Sequence, residues 1–287
     1  MVAHALLLAA VVIWGWTFVA TKILLAELGP LEIFALRLAI GLPCLGLILL
    51  VRRTPLLFTR ADVRPLLLGG AIFTLHFVVQ ISGLVTTTAT NTGWIIAITP
   101  LVLAVLSFLF LRERLGWSAL AGIPIAMAGV LVLVSRGQLG ELSAIQTTGD
   151  WLIVSSTLTW ALYTVVTRNL GRRGNPLAVT FAILMIAAVL TGLIVAVSGD
   201  FSRVSSLSTR GIWALLYLAV CGTALAQSFW QVGMAKVGAT RAGLYLYLEP
   251  LATLALAVPL LGEPFGWFTA LGGALILAGV YVGQRKP

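Results

Sequence analysis

The feature that most restricts this chain is its succession of apolar blocks, several of them about 20 residues long. That length crosses about 30 Å of hydrocarbon at about 1.5 Å per helical residue. Within lipid every backbone N–H and C=O must be paired inside the protein, so only helices and closed barrels span it. Barrel strands alternate apolar and polar residues over about ten positions. The run Leu101 to Leu111 shows no alternation, so the blocks read as helices. Only 9% of the residues are charged, against about 25% in soluble domains, which is too few to cover a water-exposed surface. The first block, His4 to Leu25, has no basic stretch before it and no small-x-small cleavage site after it. It reads as a retained helix rather than a signal peptide.

Ten spans follow, at about 4–27, 30–51, 65–86, 89–111, 117–135, 150–168, 176–198, 211–235, 239–261 and 265–284. Helix-ending residues fall between them, at Gly29-Pro30, Asn175-Pro176, Gly199-Asp200 and Gly262-Glu263-Pro264. The longest connection is about 14 residues, too short for a soluble domain. Lys and Arg collect in cytoplasmic loops. With the N-terminus on side one, that side holds thirteen: Arg52, Arg53, Arg60, Arg64, Arg112, Arg114, Arg168, Arg172, Arg173, Lys236, Arg241, Arg285 and Lys286. Side two holds four, Lys22, Arg136, Arg203 and Arg210, while Arg37 lies within a span. Both termini are therefore expected in the cytoplasm. Arg outnumbers Lys by 15 to 3, a composition that suits a GC-rich bacterial genome.

The spans repeat. At a constant offset of 150, Ala89-Thr90 matches Ala239-Thr240, Gly93 matches Gly243, and Pro100-Leu101 matches Pro250-Leu251. Glu113, Gly116 and Trp117 match Glu263, Gly266 and Trp267. Gly122 matches Gly272, and Ala128-Gly129-Val130 matches Ala278-Gly279-Val280. A weaker match at offset 146 pairs Trp14 with Trp160, Thr21 with Thr167, Lys22 with Arg168, and Pro30-Leu31 with Pro176-Leu177. The expected fold is thus all-α integral membrane, ten transmembrane helices as two five-helix repeats (5+5), residues 1–145 and 146–287. Five is odd, so the second copy is inverted. Arg112-Glu113-Arg114 becomes Gly262-Glu263-Pro264: both arginines vanish, as an inverted copy requires. Inverted repeats are a signature of secondary transporters, whose substrate site lies near the midplane.

Polar groups at bilayer depth face the bundle interior or a wet cavity. His76 and Gln80 share a face of the third span, about 16 Å from its cytoplasmic end. His76 can bind a carboxylate, carry a proton, or simply bond a neighbouring helix. Gln227, Trp230 and Gln231 share a face of the eighth span; amides suit a zwitterion, or helix-to-helix bonding. Trp14, Thr17 and Thr21 form a stripe on the first span, and Ser156, Trp160, Tyr163 and Thr167 form its copy on the sixth. Such aromatics can wall a cavity or pack a core. Glu249 is the one carboxylate expected at the midplane, with Arg37 a possible partner that can equally snorkel outward. Pro100 and Pro250 each free a carbonyl four residues earlier, at Ile96 and Leu246, and act as hinges or static kinks. Asn91, Trp94 and Tyr245 complete the candidate walls. Trp117, Trp151 and Trp267 suit interface anchors. The glycine pairs Gly122/Gly129 and Gly272/Gly279 suit close packing within one chain, with a homodimer face the alternative to a monomer.

Other classes fit less well. Cys44 and Cys221 lie in apolar blocks with no metal or disulfide spacing. A net charge of +9 is spread over short loops, with no basic helix for nucleic acid. There is no phosphate-binding loop, no His-Glu-x-x-His motif and no paired buried aspartates. Catalytic residues, metals and cofactors are not expected.

Glu249-Pro250 followed by Leu261-Gly262-Glu263, its copy Thr99-Pro100 followed by Leu111-Arg112-Glu113, and the early run Ile13-Trp14-Gly15-Trp16-Thr17-Phe18 carry a likeness. Over its whole length the chain resembles the EamA-type branch of the drug/metabolite transporter superfamily. Within it, the chain is similar to the YddG-type exporters of aromatic and other amino acids. The resemblance implies a plasma-membrane carrier with a central cavity. Thr99 departs from the glutamate-proline pattern, which counts against coupling through two carboxylates. The expected function is export of amino acids or related small amphipathic metabolites by alternating access. The alternatives are a multidrug or cationic-compound exporter of the same fold, or an intramembrane enzyme. The partners expected are the small-molecule substrate and membrane lipid.

Overall fold

A computed structural model describes residues 2–112, 116–135, 147–261 and 266–284. Every regular element among them is helical. The long helices are α1 (Val2–Leu25), α2 (Pro30–Val51), α3 (Arg60–Thr86), α6 (Trp117–Ser135), α7 (Thr148–Arg173), α8 (Pro176–Ser198) and α13 (Trp267–Gln284). Three further stretches are broken. The first is α4 (Ala89–Ile96) and α5 (Thr99–Leu111). The second is α9 (Thr209–Leu216), a π-helical turn (Tyr217–Leu225) and α10 (Ala226–Val237). The third is α11 (Ala239–Gly243), a 3-10 turn (Leu244–Leu248) and α12 (Glu249–Leu261). Among the described residues, Val2–Leu25, Pro30–Val51, Arg60–Thr86, Pro176–Ser198 and Thr209–Val237 are long and apolar enough to cross a membrane. Glu113, Arg114, Arg136, Glu263, Pro264, Arg285 and Lys286, on which part of the sequence reading rests, lie outside the described residues.

The starts of α3 and α7 fall earlier than sequence suggested, for one reason. α3 starts at Arg60 because Asp62 accepts from the Thr59 N–H at 2.9 Å. α7 starts at Thr148 because Asp150 accepts from the Thr147 N–H at 2.8 Å and donates its own N–H to the Thr147 hydroxyl at 3.1 Å. Both are reciprocal caps that satisfy otherwise orphaned donors. α7 is hydroxyl-rich, and its hydroxyls are mostly satisfied locally. Thr164 and Thr167 donate to the carbonyls of Trp160 and Tyr163, four residues back. This polar helix is packed against α3, α5, α8 and α10, which bury its face of Ser156, Trp160, Tyr163, Thr164 and Thr167.

Close approaches fix the packing. Gly69 faces Thr167 while Gly83 faces Gly149 and Ile153, so α3 and α7 run antiparallel. Gly233 faces Leu7 and Gly222 faces Thr17, so α1 runs antiparallel to the α9–α10 stretch. α6 and α13 pair through the duplicated glycines. A Cβ on Gly122 would lie 2.5 Å from the Gly279 carbonyl oxygen, and one on Gly129 would lie 2.7 Å from that of Gly272. These glycines therefore act within the chain, as expected. Trp117, Trp151 and Trp267 are exposed at the starts of α6, α7 and α13. Cys44 and Cys221 are free and half-buried.

Candidate functional site

A cavity lies near the middle of the bundle, with about 450 Å³ of space between its lining atoms, its open mouth included. It is lined by Trp14, Thr17 and Phe18 of α1, Arg37 of α2, and His76, Phe77 and Gln80 of α3. Ile96 and Thr99 come from the α4–α5 break, and Ser156, Thr157 and Trp160 from α7. Gln227 comes from the start of α10, with Leu246 and Glu249 from the break before α12. All but Gln80 are buried. α6, α8 and α13 contribute nothing to the lining.

The α1 run from Ile13 to Phe18 builds much of this. Gly15 lets α1 approach α12 so closely that a Cβ would meet the Glu249 carbonyl oxygen at 2.8 Å. Trp16 donates its indole N–H to the Ala252 carbonyl at 2.9 Å, and Thr253 donates to the Gly15 carbonyl at 2.9 Å. The Ile13 carbonyl accepts from the Tyr217 hydroxyl at 2.8 Å. Trp14 donates to the Gly222 carbonyl at 3.2 Å, while Thr17 and Phe18 turn into the cavity.

Two closures bracket the cavity. Toward the end where the N-terminus lies, Trp14, Trp160 and Trp230 pack with ring centroids 5.0, 5.4 and 5.8 Å apart. Tyr163 lies 5.1 Å below Trp160 and 5.3 Å from Phe73. Toward the opposite end, Phe18, Leu84, Ile95, Ile96 and Ile153 form a separate buried apolar cluster.

Charge inside is sparse and opposed. Arg37 is 3% exposed and Glu249 4%. Arg37 Nε donates to Thr223 Oγ1 at 3.2 Å, and its guanidinium lies 4.7 Å from the centre of the Phe77 ring. It does not snorkel. Among the described residues no carboxylate pairs with it, and nothing bonds the Glu249 carboxylate. His76 Nδ1 lies 3.0 Å from the Ser156 carbonyl. A carbonyl only accepts, so Nδ1 carries the proton and Nε2 is left as an acceptor in the neutral ring. Both amide atoms of Gln227 and the indole N–H of Trp160 are buried with no hydrogen-bond partner. Each such group costs about 1–3 kcal/mol. Together with the two charges, that is more than a resting site retains unless water or a ligand meets them.

Of the residues expected in the walls, Trp14, Thr17, His76, Gln80, Ser156, Trp160, Gln227 and Glu249 come together here. Tyr163, Trp230 and Tyr245 do not line this cavity. Tyr163 and Trp230 are one turn deeper, in the aromatic floor. The Tyr163 hydroxyl there accepts from Gln231 Nε2 at 2.8 Å. Tyr245 bonds His4 Nδ1 at 2.6 Å, near the N-terminal end. The side chains of Asn91 and Trp94 lie outside the described residues. Pro100 and Pro250 each stand second in a restarting helix, directly after the breaks that bring Ile96 and Leu246 into the lining. Phe18, Phe77, Thr99 and Thr157 were not expected in the walls. Arg37 was available from its depth in an apolar block, but which way its long chain turned was not.

The sequence model of the EamA-like transporter family matches residues 1–135 and 147–283. A Streptantibioticus cattleyicolor protein named "Probable terminal-alkyne amino-acid exporter" is 27% identical over 98% of this chain and 92% of its own. A Salmonella typhimurium protein named "Probable amino-acid metabolite efflux pump" is 29% identical over 96% and 93%. An Archaeoglobus fulgidus protein named only as a transporter is 28% identical over 99% and 97%. One solved crystal structure superposes with a TM-score of 0.80, at 21% identity, over 98% of each chain. That likeness concerns the fold alone.

Proposed function

The chain belongs to the EamA-like transporter family, and we propose that it exports amino acids or related amphipathic metabolites by alternating access through this cavity. As a member it is a multi-pass membrane transporter of small molecules, and the family gives no support to an intramembrane enzyme. The observation that carries the proposal is the presence of Arg37 and Glu249 in one buried cavity, neither paired with an opposite charge among the described residues. A zwitterion supplies both missing partners, a carboxylate for Arg37 and an ammonium for Glu249. The Gln227 amide, which both donates and accepts, fits the same ligand. Trp14, Trp160 and Phe77 offer ring faces to an apolar or aromatic side chain. A cationic drug would satisfy Glu249 but meet Arg37 as a repelling neighbour, so the amino-acid reading is preferred over the multidrug one. The names of two relatives point the same way.

The architecture proposed for this transport is ten spans in two inverted halves, residues 1–145 and 146–287, in a bacterial plasma membrane with both termini cytoplasmic. The broken stretches, each counted as one span, give that number, and the family model matches in two stretches. The aromatic floor and the aliphatic cluster then serve as inner and outer gates. With a single carboxylate in the lining, transport is taken to be uncoupled from protons. The protein is taken to work as a monomer.

The test is exchange of labelled L-tyrosine in proteoliposomes, competed with amino acids, with tyramine and with 4-hydroxyphenylpropionate. Zwitterions are expected to compete best, and an imposed pH gradient is expected to drive no accumulation. Stronger competition by tyramine than by tyrosine would restore the cationic reading.

A further inference from the structure

The π-helical turn Tyr217–Leu225 has no use in the mechanism so far. π turns are rare and widen a helix by one residue per turn. Here the widening changes what a threonine does. Thr74, Thr164, Thr167 and Thr180 each donate their hydroxyl to the carbonyl four residues back. Thr223 instead donates to the Leu218 carbonyl, five residues back, at 2.9 Å. Its proton is thereby committed within the π turn. The lone pairs that remain face Arg37 Nε at 3.2 Å.

α2 is docked on the same turn. A Cβ on Gly41 would lie 2.6 Å from the Ala219 carbonyl oxygen and 3.2 Å from Thr223 Cβ. Gly41 is four residues from Arg37, hence on one face of α2. Gly222 of the same turn also borders Arg37, its Cβ position 3.6 Å from Nη2, while its closest neighbour is Thr17 Cγ2 at 2.9 Å. Phe77 covers the guanidinium plane. With Nε engaged by Thr223 and no other hydrogen bond to Arg37 formed among the described residues, Nη1 and Nη2 remain as a two-pronged donor. That edge matches a carboxylate in bidentate geometry, which a mobile or rotated guanidinium presents poorly.

We infer that Thr223 of the π turn is the positioning residue that aims Arg37 at a substrate carboxylate, and so sets the preference for carboxylate-bearing substrates. The inference rests on the zwitterion reading of the cavity and goes beyond it by naming what orients the cation. Thr223 itself touches no substrate.

The experiment compares saturable transport of L-tyrosine and of tyramine, which lacks the carboxylate, in proteoliposomes of wild type, Thr223→Val, Thr223→Ser and Arg37→Gln. Thr223→Val keeps the shape and removes the hydroxyl. Its KM for tyrosine is expected to rise about tenfold, the usual scale for a hydrogen bond to a charged group. Its kcat and its tyramine kinetics are expected to change by less than about twofold. Thr223→Ser, which restores the hydroxyl, is expected to recover the tyrosine KM. If Arg37→Gln raises that KM while Thr223→Val does not, the positioning role is wrong and the zwitterion reading stands. If Arg37→Gln leaves it unchanged, or wild type shows no saturable tyrosine flux, the zwitterion reading itself fails. Should Thr223→Val not fold, Thr223→Ala carries the same comparison. Equal losses for both substrates, unrescued by serine, would also overturn the inference.

Discussion

Residues 89–111 and 239–261 are two versions of one stretch, and the cavity shows what their difference does. Each breaks before its proline, and each then restarts as a helix at Thr99 or Glu249. Each contributes two residues to the lining at matched positions, Ile96 with Thr99 and Leu246 with Glu249. The breaks are thus duplicated with the prolines, while the charge is present once. Backbone form is symmetric and electrostatics are not. With Arg37 on α2, the single carboxylate gives the cavity one positive and one negative contact. Two glutamates would have placed like charges in one cavity and left the cation outnumbered.

The sharpest way to break this comparison is to neutralise both positions. Glu249→Ala removes the contact proposed for the substrate ammonium and is expected to lower kcat/KM for tyrosine about 100-fold, as such contacts contribute about 1.5–3 kcal/mol. Thr99→Ala at the matched position is expected to change it by less than about threefold. Transport kinetics in proteoliposomes check both. Comparable losses at the two sites would mean that the shape of the break, not the charge, carries recognition.

The pairing of α6 with α13 makes the opposite forecast, because there the two copies are equivalent in space as well as in sequence. Gly129 faces Gly272 as its copy Gly279 faces Gly122, and a Cβ on Gly129 or on Gly279 would lie 2.7 Å from the facing carbonyl oxygen. Backbone cannot give way as a side-chain tip can. Gly129→Ala and Gly279→Ala, copies of one another at offset 150, are each expected to cost about 1–3 kcal/mol. The matching readout is two similar drops in the melting temperature of detergent-solubilised protein, with tyrosine KM unchanged. Unequal drops would show that the pairing is not symmetric.

A smaller effect is expected at the prolines. Each stands where a restarting helix has no donor to lose, so Pro100→Ala and Pro250→Ala need not unfold the protein. An alanine N–H can reach back toward Ile96 or Leu246 and straighten the break. Turnover is expected to fall roughly threefold to tenfold in both variants, about 1 kcal/mol in barrier. Single-turnover exchange rates check this. A deficit confined to Pro250→Ala would place the moving part in one half only.

These contrasts also show which parts were legible in advance. Helix positions, the repeat, the breaks at the prolines and the packing role of the glycines all follow from residue type and spacing. Stripes were legible as faces but not as depths. Trp160 and Tyr163 share a face, as do Gln227 and Trp230, yet one residue of each pair reaches the cavity and the other lies one turn below it. A face descends 1.5 Å with every residue, and a cavity occupies only a short interval of that descent. The π turn was invisible, since Tyr217 to Leu225 has no composition that separates i to i+5 from i to i+4 bonding. What holds it is tertiary: Gly222 against Thr17 of α1, and Ala219 and Thr223 against Gly41 of α2. Arg37 was ambiguous because its long stem allows either an outward or an inward head.

The smallest expected effect lies at the turn between α1 and α2, where the two copies differ again in charge. Glu27 stands at offset 146 from Arg173, and Glu32 at the same offset from Ala178. Glu27 accepts from the Ser208 N–H and hydroxyl, both at 2.7 Å, at the start of α9. Glu32 accepts from the Asp200 N–H at 2.9 Å. The first copy's turn thereby ties down the connection between α8 and α9. Hydrogen bonds from the Ser208 backbone and then its side chain hold the Glu27 carboxyl below its ordinary value of 4.5. A group held down in the folded state contributes stability above its unfolded value and loses it as pH falls through the folded one. A gap of a degree or two in melting temperature between wild type and Glu27→Ala is therefore expected at pH 7, narrowing below about pH 4.5. Asp200 is also held low, by the Ser202 side chain and N–H, and Asp62 by the Thr59 side chain and N–H, so wild-type melting alone would mix several titrations. The difference between the two proteins isolates Glu27. A gap that persisted unchanged at low pH would mean that packing, and not the carboxylate, fastens this turn.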